Sequence, residues 1–183
     1  MKILAIAASN SQTSINKKLV TFVSNRFKSE YKSEAEVEVI DLIDFEMPLY
    51  RPDREAEGGV PAPAQSFFDK IGATDVVFVS FAEHNGLYSA VYKNLFDWSS
   101  RIDQKVYQNK PMVLLSTSPG PRGASNVLQT ATDSAPHFGM DVKGSVSIPS
   151  FQDNFDVDAN NITNSELIAK VDEALKSLSE SLG

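Results

Sequence analysis

Four short apolar runs constrain this chain more than any other feature: Ile3–Ala8, Val76–Phe81, Met112–Leu115 and, less purely, Val142–Ile148. Each is bounded by polar residues or by Gly and Pro, and none alternates strictly between apolar and polar. A strand that is apolar on both faces must be covered on both, as in a parallel sheet sandwiched between helices. A fifth segment, Val37–Leu42, reads Val-Glu-Val-Ile-Asp-Leu and alternates more, the pattern of a strand nearer a sheet edge.

Between these runs apolar residues recur at helical spacing. The pattern predicts helices over Ser14–Phe27, Ala64–Ile71, Tyr88–Ile102, Ser125–Phe138 and Asn164–Leu182. Pro136 is expected to end or kink the fourth. Asn164-Ser165-Glu166 predicts an N-cap followed by an acidic first turn. Strand and helix alternate five times, which predicts an α/β fold, a doubly wound five-stranded parallel sheet in the order 2-1-3-4-5, with residues 1–183 as one domain. Met47–Pro63 holds four prolines and Gly58-Gly59, so a long exposed loop is expected there, and Ser150–Asn161, rich in Asp and Asn, is expected to be a second.

Composition removes several function classes. The net charge is −7, which argues against nucleic acid as the main partner, because phosphate neutralisation needs a basic face. There is no cysteine, so disulfides, thiolate metal sites and cysteine nucleophiles are excluded. Two histidines, His84 and His137, are too few for a histidine-based metal site on one chain. No apolar run approaches the ~20 residues of a membrane-spanning helix. Met1-Lys2 leads straight into Ile3–Ala8, too short for a signal peptide, and a cytoplasmic location is expected.

Ligands of open α/β sheets bind outside the carboxyl ends of the strands, at the point where the strand order reverses. Three loops should meet there. The first, Ser9-Asn10-Ser11-Gln12-Thr13-Ser14-Ile15-Asn16, has four hydroxyls and no glycine. Hydroxyls and amides at a helix start suit a phosphate monoester, whereas the Gly-rich fingerprint of a dinucleotide site and a Walker loop are both absent. The same residues also compose an ordinary capping loop. The second, Glu83-His84-Asn85-Gly86, ends in a pair suited to a tight turn with positive φ, and its exposed amides could face a flat polar ring; a plain turn is the alternative. The third runs Ser116-Thr117-Ser118-Pro119-Gly120-Pro121-Arg122-Gly123-Ala124, a rigid strand-to-helix turn whose accessible N–H groups could bond ring carbonyls; a bare turn is the alternative, weakened by Arg122 in the turn.

Together these loops resemble the NADPH-dependent FMN reductase family, which includes quinone, azo-dye and chromate reductases. The family's first motif runs roughly Gly-Ser-x-Arg-x-x-Ser-x-Asn-x-x-Leu; here Ala8-Ser9-Asn10-Ser11-Gln12-Thr13-Ser14-Ile15-Asn16-Lys17-Lys18-Leu19 stands in its place. The second motif appears as Ala82-Glu83-His84-Asn85-Gly86 followed by Tyr92-Lys93-Asn94-Leu95-Phe96-Asp97-Trp98-Ser99-Ser100-Arg101, the most specific part of the match. Asp41-Leu42 and Met47-Pro48-Leu49-Tyr50 resemble a third segment, and the likeness runs from Lys2 to about Pro149. Ser11 stands where many members have Arg, His84 replaces a Tyr and Ala82 a Pro.

The resemblance implies a flavodoxin-like fold, FMN as cofactor and NAD(P)H as co-substrate, with hydride passing through the flavin to a small-molecule electron acceptor. The cofactor carries the redox chemistry, which accounts for a sequence with no nucleophile, no metal cluster and no acid–base dyad, and no residue is assigned as catalytic. The cofactor-binding candidates are Ser9, Ser11, Ser14, Ile15 and Asn16 in the first loop, Glu83, His84, Asn85 and Gly86 in the second, and Ser116, Thr117, Ser118 and Gly120 in the third. Tyr50, Arg101 and Arg122 are the substrate-side candidates. Lys93, Asp97 and Arg101 are spaced for i,i+4 ion pairs; in the family this helix lies at a subunit interface, which makes Trp98 and Arg101 candidates for contact with a neighbouring subunit in a homodimer or homotetramer. A flavodoxin-type electron carrier, served by a partner protein, is the alternative.

Overall fold

The computed structural model describes residues 1–183. In chain order the elements are β1 (Lys2–Ala8), α1 (Ile15–Tyr31), β2 (Glu36–Asp41), α2 (Pro52–Gly58), α3 (Ala62–Gly72), β3 (Val76–Phe81), a small hairpin of β4 (Glu83–His84) and β5 (Leu87–Tyr88), α4 (Ala90–Ser99), β6 (Lys110–Thr117), α5 (Ser125–Ser134), β7 (Met140–Ile148), α6 (Phe151–Asn154), a second hairpin of β8 (Phe155–Asp156) and β9 (Asn161–Ile162), and α7 (Ser165–Ser181). The sheet order is β2-β1-β3-β6-β7, all parallel, which is 2-1-3-4-5 counted along the chain.

The unbroken apolar runs have a direct structural meaning. Along β1, Ile3, Ala5 and Ala7 face the layer formed by α1 and α7, while Leu4, Ile6 and Ala8 face the layer formed by α3, α4 and α5. Along β3 the same division holds, with one exception: Ser80, fully buried on the α1 side, is polar and is used at the site. β2 is an edge strand, with Glu36 and Glu38 on its solvated side and Val37 and Val39 half-buried against α1, as its alternation predicts.

Ser14 caps α1 by accepting a hydrogen bond from the Lys17 amide at 3.1 Å, and Asn164 caps α7 by accepting from the Glu166 and Leu167 amides. Pro136 ends α5 as expected, and the chain continues into one 3-10 turn over Ala135–Phe138. Two expectations need correction. Met47–Pro63 is not an uninterrupted loop: Pro52 sits at the first position of α2, where its missing N–H costs nothing. Ser150–Asn161 likewise holds a helical turn and the small β8–β9 hairpin. The strand predicted over Val142–Ile148 begins at Met140, and its pairing with β6 skips Lys143, a bulge that breaks the pattern there.

Candidate functional site

The three loops predicted to meet do so. Residues of the first loop (Ser9, Ser11, Thr13, Ser14, Ile15 and Asn16), of the start of the β4–β5 hairpin (Ala82, Glu83 and His84) and of the third loop (Thr117, Ser118 and Pro119) line one hollow of about 250 Å³ at the carboxyl edge of the sheet. That is below the ~300–1,000 Å³ of sites that enclose a drug-sized ligand, so its volume suits one end of such a ligand and not the whole.

Asn16 joins the first and third loops from beneath. Its side-chain amide donates to the Thr117 carbonyl at 3.4 Å, and its carbonyl accepts from the Ser80 hydroxyl at 2.7 Å. All three residues are buried, so this bridge is shielded from water and fixes the loops against each other. In the first loop the hydroxyl oxygens act as acceptors towards the backbone: Ser9 Oγ accepts from the Ser11 amide, Ser11 Oγ from the Thr13 amide, and Ser14 Oγ from the Lys17 amide. A hydroxyl that accepts keeps its own O–H free to donate. The backbone amides of Gln12, Ile15 and Asn16 have no acceptor within the chain. Hydroxyls and amides at the start of a 17-residue helix are the donor set that suits an anion, and residues 9–16 add no cation to it. Lys17, the next residue in the chain, is held by Asp41 at 2.6 Å. Burial pushes the Asp41 carboxyl up, but bonds from Lys17 and the Ile43 amide outweigh it and leave it below its ordinary range.

The third loop spends its side chains internally. Ser116 and Ser147 both donate to the Gly123 carbonyl at 2.8 Å, and Thr117 donates to the Ile148 carbonyl at 2.7 Å. The amides of Ser118 and Gly120 are free. Gly123 has φ +59, and a Cβ there would lie 2.3 Å from Ser147 Oγ and 2.8 Å from the Pro149 nitrogen, so only glycine fits. In the hairpin, Asn85 (φ 53) and Gly86 (φ 84) form the positive-φ turn that the sequence predicts, and neither amide has an acceptor within the chain. The Glu83 carboxylate accepts from the Val127 amide at 3.0 Å, at the start of α5.

The predicted residues therefore divide. Ser9, Ser11, Ser14, Ile15, Asn16, Glu83, His84, Thr117 and Ser118 line the hollow. Asn85, Gly86 and Gly120 lie beside it on exposed or half-exposed turns, and Ser116 lies behind it. Tyr50 and Arg101 do not line it. They meet in a separate cluster in which the Tyr50 hydroxyl donates to Glu55 at 3.1 Å and Arg101 pairs with Glu55 at 3.0 Å. Arg122 is exposed on the third loop and makes no ion pair. Trp98 is 1% exposed: its indole N–H donates to the Pro48 carbonyl at 2.8 Å and its ring meets Tyr50 edge-on at 5.0 Å, so it faces its own chain and not a neighbour. Of the ion pairs expected along α4, Lys93–Asp97 forms, while Arg101 turns to Glu55. Ser80 and Ser89 support the site and escaped notice in the sequence, while Gly123 was read only as part of a rigid turn; a lone serine in an otherwise apolar strand was the available signal for Ser80.

The family model described as NADPH-dependent FMN reductase matches residues 1–153. The chain belongs to the NADPH-dependent FMN reductase family. Among curated proteins, the NADH-dependent flavin reductase subunit 2 of Lactobacillus johnsonii is 28% identical over 181 residues, 95% of this chain and 93% of that protein. Among solved structures, FerB, a flavoenzyme NAD(P)H:(acceptor) oxidoreductase from Paracoccus denitrificans, superposes with a TM-score of 0.72 at 23% identity, over 98% of this chain and 97% of that one. An FMN-dependent NADH-azoreductase from Bacillus anthracis, solved in complex with FMN, superposes with a TM-score of 0.67 at 12% identity, over the whole of both chains. At these identities the two structures establish the flavodoxin-like fold.

Proposed function

We propose that this protein is an FMN-dependent oxidoreductase that takes hydride from NAD(P)H and passes it to a small-molecule acceptor such as a quinone, a free flavin or an azo compound. The observation that carries this reading is the convergence of backbone amide donors with no acceptor in the chain on one hollow at the switch point of the sheet. The donor set fits FMN. Ser9, Ser11 and Ser14 hydroxyls and the Gln12, Ile15 and Asn16 amides suit the phosphate, and the Asn85, Gly86, Ser118 and Gly120 amides suit the polar edge of the ring. When bound, FMN supplies the two-electron chemistry, and the protein's part is to hold, orient and tune it. The open side of the hollow leaves room for co-substrate and acceptor to stack in turn.

The test is direct. Purified protein mixed with FMN and gel-filtered should retain yellow flavin, and should then oxidise NADH or NADPH when a quinone is added. Loss of the flavin on the column together with no oxidation would overturn the reading. Oxidation only when a second protein is supplied would favour the electron-carrier alternative. That alternative gains some support from the name of the Lactobacillus johnsonii relative, a subunit of its reductase.

The same reading includes a homodimer or homotetramer. Leu49 (68% exposed) and Leu87 (59% exposed) are large apolar side chains left in water, and Leu49 borders a small hollow with Met47 and Val91 next to the site. Light scattering should give a multiple of 20.0 kDa; a monomer at micromolar concentration would remove the oligomer.

A further inference from the structure

We propose that Glu83 is a positioning residue: its carboxylate supplies the N-cap that α5 lacks, and so locks the β4–β5 hairpin to the third loop. The proposal rests on the FMN reading only for its consequence at the ligand, not for the contact itself.

α5 begins without a cap of its own. The residue at its N-cap is Ala124, held in the left-handed region at φ 62, and it has no side-chain oxygen to offer the first amides of the helix. The oxygen arrives from 44 residues earlier in the chain: Val127, at the third helical position, donates its amide to Glu83 Oε2 at 3.0 Å. That is the bond a Ser or Asp cap would make, supplied here by an anion at the positive end of the helix. The tip of the hairpin reaches the same turn of α5, since a Cβ on Gly86 would lie 3.7 Å from Asn126 Nδ2.

The hairpin needs such an anchor. Its strands are two residues each, and a two-stranded ribbon of that length has little stability alone. Its far end is tied by Ser89, whose hydroxyl donates to the Ala8 carbonyl at 3.0 Å, at the end of β1. Glu83 is thus one fastening of the hairpin, beside Ser89 and the Tyr88 ring, which packs against Phe81 and Tyr92. It sets the spacing between Ala82–His84 and Thr117–Pro119, the two walls of the hollow on the side away from the first loop. It also takes a carboxylate that lines the hollow and commits it to an amide, so that an anionic ligand does not meet it unpaired.

The experiment compares Glu83→Ala and Glu83→Gln with the parent. In the apo-proteins, hydrogen exchange should speed up at Val127 and through the hairpin in Glu83→Ala, while α1 keeps its protection. FMN and riboflavin titrated into the same proteins should both lose about tenfold in affinity in Glu83→Ala, since the hairpin faces the ring and not the phosphate; Glu83→Gln, which keeps a neutral acceptor, should lose less than about threefold. Unchanged exchange at Val127 in Glu83→Ala would overturn the proposal, and so would flavin affinities equal to the parent's. A parent that binds neither flavin would overturn the FMN reading instead, and the exchange measurement would still decide whether Glu83 holds the hairpin.

Discussion

The two ends of the sheet differ in a way that volume alone misreads. The larger opening lies at the amino end, a groove of about 940 Å³ between β1, β2 and α3. Many of the polar groups in and around it are already paired. The Lys2 amide donates to Asp75, Thr74 Oγ1 to the Lys2 carbonyl, Lys70 to Glu38, Gln65 to Asp69, and Lys110 nearby to the Gly72 and Thr74 carbonyls. The carboxyl-end hollow has about a quarter of that space, yet the Ile15, Asn16 and Ser118 amides that border it have no partner in the chain. A binding site is recognised by donors left unspent in an otherwise satisfied structure, not by empty space.

Glycine substitutions should separate the two ends most sharply. At Gly123 an added methyl would meet Pro149 and Ile148 backbone atoms at 2.8 and 2.9 Å, from a residue at φ +59. Gly123→Ala should therefore lower apo-stability by about 3 kcal/mol or more, combining overpacking with left-handed strain. At the amino end, Gly72 has ordinary φ, and its nearest obstacle is the tip of the Gln108 side chain at 2.9 Å, which can swing aside at the cost of its bond to the Phe68 carbonyl. Gly72→Ala should stay within about 1 kcal/mol of the parent. Urea unfolding of both variants checks this, and equal losses would erase the contrast.

Removing hydroxyls should separate the ends in binding. Ser9→Ala combined with Ser14→Ala should weaken FMN by about 1–3 kcal/mol and riboflavin far less, because hydrogen bonds to a charged group are the strong ones. The same pair will cost some apo-stability, since Ser14 caps α1. Thr74→Ala, which removes a donor of similar kind at the amino end, should lower stability and leave both flavin affinities alone. Titrations of each apo-protein with both flavins decide it; equal losses for FMN and riboflavin would place the phosphate elsewhere.

Acid should loosen the carboxyl end through Asp41. Its folded-state carboxyl lies below the ordinary value of 3.8, because the bonds from Lys17 and the Ile43 amide outweigh its burial. A lowered carboxyl contributes stability above its unfolded pKa and loses it as pH falls through the folded value. The melting-temperature gap between the parent and Asp41→Asn should therefore be steady from neutral pH down to about pH 5 and should close below about pH 4. A gap that widens in acid would contradict the assigned direction. The loop nearest the failure is the first one, since the Leu42 amide next to Asp41 donates to the Ser9 carbonyl at 3.1 Å.

Much of this was legible in the sequence because it depends on local pattern. β1, β3 and β6 are covered on both sides, so their central runs are apolar with Ser80 as the exception, and the 2-1-3-4-5 order follows from right-handed crossovers. The first loop was legible because hydroxyls before a helix have few uses. What escaped depends on contacts between distant residues. The hairpin strands are too short to carry a period, and only the Asn85-Gly86 turn between them could be read. The bond from Val127 to Glu83 spans 44 residues, and no local rule reaches that far. The Lys93–Arg101 block was noticed, but its work was not. Asn94 and Trp98 grip the Met47–Tyr50 segment, Asn94 accepting from the Tyr50 amide at 2.8 Å, so the block holds its own chain in place. At Gly86 the nearest protein atom to an added Cβ is 3.7 Å away, so within this chain its φ of 84 is the constraint.

Ionic strength should produce the smallest effect, and its sign discriminates between two kinds of phosphate site. A site built on arginine or lysine attracts the phosphate by charge, and added salt screens that attraction and weakens binding. Here residues 9–16 include no cation, and Lys17 is committed to Asp41. The donors are neutral and short-range, so salt has little to screen inside the hollow. The whole chain carries −7, which repels a dianionic phosphate from a distance. Raising salt from about 20 mM to 300 mM shortens the Debye length from roughly 20 Å to below 10 Å and removes most of that repulsion. FMN affinity should therefore rise, by no more than about threefold, while that of riboflavin, which has no phosphate, stays nearly flat. A fall in FMN affinity with salt would mean that a cation reaches the phosphate after all. Exposed Arg122 on the third loop would then be the first residue to replace with glutamine.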